Sequence, residues 1–130
     1  VKCLDTDLLI AILRGKREAQ DKVAELDEEG KHATTSINTF EIFFGSQRSA
    51  RKSQNMKEAL KLVERLEVIP FDLPSSQRAG EISANLMAKG EIINYRDAMI
   101  AGIAIENDLT LVTRNEEHFT RIKSLDLEIW

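Results

Sequence analysis

The sequence predicts an α/β fold, a three-layer α/β/α sandwich with a central parallel sheet of four to five strands. Two observations carry that expectation. Short apolar runs alternate with longer stretches of helical spacing along the whole chain, which puts a helix between successive strands and makes the strands parallel. The run "LTLVT" (109–113) reads as a fully buried strand, as a sheet covered on both faces requires. A length of 130 residues suits one domain, spanning 1–130, with a substantial core.

Taken in order, "VKCL" is the first strand, ending at Asp5, with Cys3 a small core residue. "TDLLIAILRG" carries Leu8, Leu9, Ile12 and Leu13 at helical spacing and stops at Gly15. "KREAQDKVAELDEEG" is a second helix, with Ala19, Val23 and Leu26 on one face and Gly30 behind it. "HATTS" reads as a short strand. Helical spacing returns at Ile37, Phe40, Phe43 and Phe44, and residues 50–66 form a long amphipathic helix through Met56, Ala59, Leu60, Val63 and Leu66. "EVIPF" is a strand ended by Pro70. Pro74 opens a helix with Ala79, Ile82 and Leu86 inward, closed by Gly90. Residues 97–106 are apolar on nearly all sides, which buries that helix, and "LTLVT" and "LEIW" are the last strands. Asp5, Ser36 and Thr113 fall at carboxyl ends of strands, where parallel sheets place their chemistry.

Composition narrows the function classes. A hydrophobic share of 42% and a charged share of 31% are those of a water-soluble globular protein. The longest apolar run, "AMIAGIAI" (98–105), is far too short for a bilayer, and the first residues lack the apolar core of a signal peptide, so no membrane is expected. One cysteine excludes an internal disulfide framework and fits a reducing cytoplasm. No P-loop, G-x-G-x-x-G or G-x-S-x-G is present, and His32 and His118 have no Cys or His partner at zinc spacing.

The acids carry the chemistry. Asp5 could cap the helix that follows it, and Asp7 could serve as a first-turn anion. Glu41 lies between Ile37 and Ile42 on the helical wheel, at the border of an apolar arc: either it is desolvated, and a cation meets it or its proton stays on, or it swings to solvent past a short neighbour. Asp97 opens the most apolar helix; Arg96 is adjacent, but helical neighbours do not face each other. Each acid alone has a structural role available. Together they stand at helix starts that can converge on one sheet edge, and converging carboxylates suit a hard divalent cation, Mg²⁺ or Mn²⁺.

"LDTDLL", "TTSINTFEIFFG", "NYRDAMIAGIA" and "LTLVTRNEEHF", in this order, resemble the PIN-domain ribonucleases, and among them the VapC-type toxins of toxin–antitoxin pairs. The resemblance runs nearly end to end. It implies Asp5, Glu41 and Asp97 as metal ligands, with Gly45 following Glu41 in the family manner, and Thr113 as the hydroxyl at the end of the fourth strand. It also implies auxiliary acids where this chain has Asn94 and Asn115, with Glu116 and Glu117 just beyond the latter. Two amides at those places put a tightly held second metal in doubt and leave a one-metal site intact. The implied reaction is hydrolysis of an RNA phosphodiester that leaves a 5′-phosphate. Thr113 and Asn115 would orient the attacking water or a phosphate oxygen, with Asp7 as an auxiliary acid. A homodimer is implied, with helix faces near 10–14 or 56–66 as its candidates, and so is an antitoxin partner whose basic tail fills the acidic pocket.

RNA must reach that pocket. Residues 46–65 carry Arg48, Arg51, Lys52, Lys57, Lys61 and Arg65 against Glu58 and Glu64 on a chain of net charge −4, and this segment could track a phosphate backbone or remain a solvated helix face. Three other readings stay open. A haloacid-dehalogenase-type phosphatase also begins strand-D-x-D, but residue 8 is Leu where Thr or Val is wanted and no late acidic pair is clear. A response-regulator receiver would need Asp72 as phosphate acceptor and a Lys closing the last strand, which is missing. A catalytically degenerate interaction module would account for Asn94 and Asn115.

Overall fold

The structure is a computed structural model that describes all 130 residues. Five strands form one sheet in the order β3-β2-β1-β4-β5, and every neighbouring pair is parallel. The strands are β1 (Lys2–Leu4), β2 (Ala33–Thr35), β3 (Glu67–Ile69), β4 (Thr110–Thr113) and β5 (Leu127–Ile129). The helices are α1 (Thr6–Leu13), α2 (Arg17–Asp27), α3 (Ser36–Gln47), α4 (Lys52–Glu64), α5 (Leu73–Ala88), α6 (Tyr95–Glu106) and the short α7 (Glu116–Phe119). The expected elements are all present. α7 is the exception in the other direction, because one helical turn leaves no periodicity to read.

Side-chain alternation along the strands divides the core in two. Cys3 and Leu111 face a cluster with Ala79, Ile82, Ala101 and Phe119, so α5, α6 and α7 cover that side. Their sequence neighbours Leu4 and Val112 face Leu8, Leu9, Leu26, Ile42 and Leu62, so α1 to α4 cover the other. This is the predicted sandwich. No helix is long and apolar enough to cross a membrane.

Local chemistry sets the boundaries. Asp5 caps α1 by accepting from the Thr6 N–H, and Gly15 ends that helix region at φ +66°. Thr35 and Asn38 form a reciprocal capping box that starts α3 one residue earlier than apolar spacing suggests. β3 stops at Ile69 because Pro70 cannot donate to a ladder. α6 starts at Tyr95, two residues before the apolar run, because the Asn94 side chain caps it by accepting from the Arg96 N–H at 2.8 Å. α6 also lies unusually close to α5: a Cβ on Gly102 would stand 2.6 Å from the Ser75 carbonyl oxygen.

Candidate metal and nuclease site

The carboxyl ends of β1 and β4, neighbours in the sheet, bring Asp5 and Thr113 together. Thr113 Oγ1 is 2.7 Å from Asp5 Oδ2 and 3.0 Å from Asp7 Oδ2. One hydroxyl proton serves two carboxylates, so Thr113 donates to one or the other. Asn38 Nδ2 donates to the other Asp5 oxygen at 2.9 Å and lies the same distance from Thr6 Oγ1. Thr6 Oγ1 in turn donates to Glu41 Oε1 at 2.8 Å.

Asp5 is 6% exposed and faces neutral donors and another acid, never a cation. Burial pushes its carboxyl up to about 6, helped by the charge of Asp7. The hydrogen bonds from Thr113, the Thr6 N–H and Asn38 pull the other way without cancelling that effect. Asp7 is fully engaged: Oδ2 also accepts from the Arg114 N–H at 2.9 Å, and Oδ1 accepts from Trp130 Nε1 at 3.1 Å.

Glu41 does meet a cation. Arg96 Nη1 lies 3.9 Å from Glu41 Oε2, so the arginine pairs across to α3 and not with its neighbour Asp97. Asp97 instead faces His118, whose Nδ1 is 3.4 Å from Oδ2. Half-burial raises the Asp97 carboxyl above its ordinary range even though His118, Arg96 and Arg121 draw it down. His118 Nδ1 also lies 2.9 Å from Asn115 Nδ2, so one tautomer donates to Asp97 and the other accepts from Asn115. The Asn115 N–H donates to Thr113 Oγ1 at 3.0 Å.

Four of the sequence-predicted site residues, Asp5, Glu41, Thr113 and Asn115, therefore belong to one hydrogen-bonded network at one sheet edge, and the fifth, Asp97, lies beside it against His118. They are not gathered equally. Asp5 and Thr113 touch directly, Glu41 reaches Asp5 through Thr6 and Asn38, and Asp97 faces His118, whose Nδ1 serves either Asp97 or Asn115. No three acid, histidine or cysteine side chains stand ready around one ion position. The donor chemistry nonetheless fits a divalent cation: the oxygens are hard, and Asp5 is a buried carboxyl with no countercharge. Glu41 and Asp97 would have to turn from Arg96 and His118 to join it.

Sequence reasoning missed Asn38, Thr6, His118 and Trp130. Asn38 had a signal, a polar residue three after Thr35 at a strand-to-helix junction, and it is 0% exposed. Nothing in the sequence brings Trp130 to Asp7, 123 residues away. Asn94 spends its side chain on capping α6, which accounts for an amide there. Asp72, the acceptor that a receiver would require, caps α5 by accepting from the Ser75 N–H. Ser36, at the end of β2, accepts from the Phe71 N–H.

Residues 2–125 match the PIN domain family. Ribonuclease VapC2 of Rickettsia felis is 34% identical over 98% of this chain and 96% of its own. This chain is a PIN domain of the VapC ribonuclease family. The tRNA(fMet)-specific endonuclease VapC of Salmonella typhimurium is 31% identical, again over 98% of this chain and 96% of the relative. Among solved structures, VapBC2 from Rickettsia felis bound to a fragment of its promoter DNA contains a chain that superposes with a TM-score of 0.91 at 32% identity, covering 99% of this chain and 98% of that one. The DNA-bound VapBC from Salmonella typhimurium gives 0.90 at 30% identity, covering 100% and 98%.

Proposed function

We propose that this chain is the toxin of a VapBC-type pair, a divalent-metal-dependent endoribonuclease. The observation that carries the reading is Asp5: a carboxyl buried at the end of a central strand, faced only by neutral donors and a second acid. Ionising it there costs about 3 kcal/mol more than in the unfolded chain. A fold keeps such a group when something brings the missing positive charge. Asp5, Asp97 and Glu41 would hold Mg²⁺ or Mn²⁺. When bound, the ion polarises the scissile phosphate and makes the attacking water more acidic.

The chain's own part is positional. Thr113 orients the Asp5 carboxylate, and its O–H can swing to donate to Asp7 when Asp5 turns to an ion. Asp7, held from three sides, supports Thr113 and is poorly placed to be a ligand. Asn115 fixes Thr113 through its backbone and His118 through its side chain. The amides at 94 and 115 favour one ion over two.

RNA is the substrate class, with an initiator tRNA as the first candidate on the strength of the Salmonella relative. An antitoxin partner follows from the VapBC complexes. A second copy of the chain would meet the apolar groups left in water on α3 (Phe40, Phe44), at the end of α5 (Met87), in the loop after it (Ile92) and at the start of α6 (Tyr95). That face suits a dimer better than residues 10–14, whose Ile10, Ile12 and Leu13 are half-buried against the core, or 56–66, where Leu60 alone is a large exposed apolar group.

The test is Mn²⁺-dependent cleavage of an initiator tRNA transcript, beside Asp5→Asn and Asp97→Asn. Loss in both variants and with chelator is expected. Cleavage that survives all three would overturn the metal-nuclease reading, and no cleavage by the wild-type chain of tRNA, rRNA or short single strands would favour the degenerate module.

A further inference from the structure

The acidic site has a basic neighbour, the run Arg14-Gly15-Lys16-Arg17, which the fold places beside it. A cavity of about 520 Å³ lies between α1, the start of α2 and the Arg114–Trp130 pair, with Asp7 in its wall. Asp7, Ile10, Ala11 and Arg14 line it along one face of α1, so it runs about 10 Å away from the catalytic network. Its two acids are both committed, Asp7 to Thr113, Trp130 and the Arg114 N–H, and Glu18 to the Arg114 guanidinium. Arg114 also lies 3.7 Å from the Trp130 ring and donates to the Trp130 carbonyl, so the two side chains form one wall.

The remaining three cations make no ion pair, although the charge of Lys16 also acts on Glu18. Arg14, Lys16 and Arg17 line the cavity, all exposed, and none enters an ion pair. They repel one another, and two of them stand at the start of α2, where a helix prefers acids. Folding therefore does not explain them. The basic segment singled out in the sequence differs: its six cations are exposed too, but none lines this cavity or the one beside Glu41.

We propose that Arg14, Lys16 and Arg17 form a phosphate-binding subsite for the RNA strand, holding a nucleotide next to the one cut. The inference rests on the nuclease reading for its direction: a strand crossing carboxylates needs cations beside them, and this cavity shares a wall with the site. An acidic protein segment would also suit three cations. The continuity with the Asp5 network favours RNA, because a strand seated at the scissile position must continue into one flank of it.

The test uses the full chain carrying Asp5→Asn, which binds without cutting, and an initiator tRNA transcript as probe. Adding Arg14→Gln, Lys16→Gln and Arg17→Gln should weaken binding at least about tenfold. The dependence of log Kd on log salt should flatten by about 0.7 for each phosphate contact removed. In the cutting chain the same triple change should raise KM and leave kcat within about twofold. The control is Arg51→Gln, Lys52→Gln and Lys57→Gln, equal in charge change, which should shift tRNA binding less than threefold. Equal losses in the two triples would reduce the effect to net charge and overturn the subsite. So would unchanged tRNA binding, with or without loss of a polyglutamate peptide; peptide loss would assign the cavity to a protein partner. Neither outcome touches the nuclease reading. Conversely, a wild-type chain that holds tRNA through these cations and cuts nothing with Mn²⁺ would overturn the nuclease reading and leave the subsite standing.

Discussion

The two ends of β1 treat charge in opposite ways. At its start, Lys2 bonds Glu29 and Glu128, and Lys22 bonds Glu128 as well. Every charge there has an opposite partner; the Lys2 ammonium is held above its usual range by Glu128 and Glu29, and the Glu128 carboxyl below its own by Lys2 and Lys22. Three residues on, Asp5 is more deeply buried and has no cation, and its carboxyl moves up. The same strand thus carries one electrostatic arrangement complete within the chain and one that is incomplete. The first is balanced by ion pairs; the second is met by hydrogen bonds alone, from the Thr6 N–H, Asn38 and Thr113.

Asp5→Asn separates these ends most sharply. It should abolish divalent-dependent cleavage, by well over a hundredfold, and at neutral pH without divalent ions raise resistance to urea by up to about 3 kcal/mol, because it deletes the buried charge. An Asp5→Asn chain less stable than wild type would show that the charge is compensated within the fold.

pH sharpens the same point. The folded carboxyl near 6 lies above its unfolded value of 3.8, so the native state binds more protons between them. The Asp5 contribution therefore declines as pH rises from about 4 to about 6, and its full cost remains above that. Urea midpoints along this range should show a decline in the wild type that Asp5→Asn lacks, with Mn²⁺ restoring stability at neutral pH.

Thr113→Val removes the proton shared between Asp5 and Asp7. Its expected cost is about 10- to 100-fold in cleavage and in Mn²⁺ affinity, as for a group that orients a ligand. Trp130→Phe keeps a smaller aromatic ring and deletes the donor to Asp7, and should cost less, about tenfold in Mn²⁺ affinity read by titration. A Trp130→Phe loss as large as that of Asp5→Asn would make Asp7 a ligand. At the other end of β1, Lys2→Met should leave cleavage untouched and lower the urea midpoint slightly, more at low salt than at high.

The fold was legible because its signals are local. Alternating strand and helix patterns, Gly15 and Pro70 as stops, and Pro74 near a helix start all act within a few residues. The three acids proposed as ligands stood out for a related reason: Asp5, Glu41 and Asp97 each sit beside an apolar run that makes an acid conspicuous. The supporting network was not. Asn38 reaches Asp5, and Trp130 reaches Asp7, through tertiary placement that no sequence period encodes. The unpaired state of Arg14, Lys16 and Arg17 depends likewise on where Glu18 goes, and it goes to Arg114, 96 residues away.

The Thr113–Asp5 contact spans 108 residues. A ribosome adding about 5–20 residues per second needs roughly 5–20 seconds to pass from one to the other. Through that interval Asp5 has neither its hydroxyl donor nor β4 beside its strand. The site is therefore incomplete for several seconds after Asp5 itself has been made, and it closes only once Thr113 has been added and β4 has paired with β1.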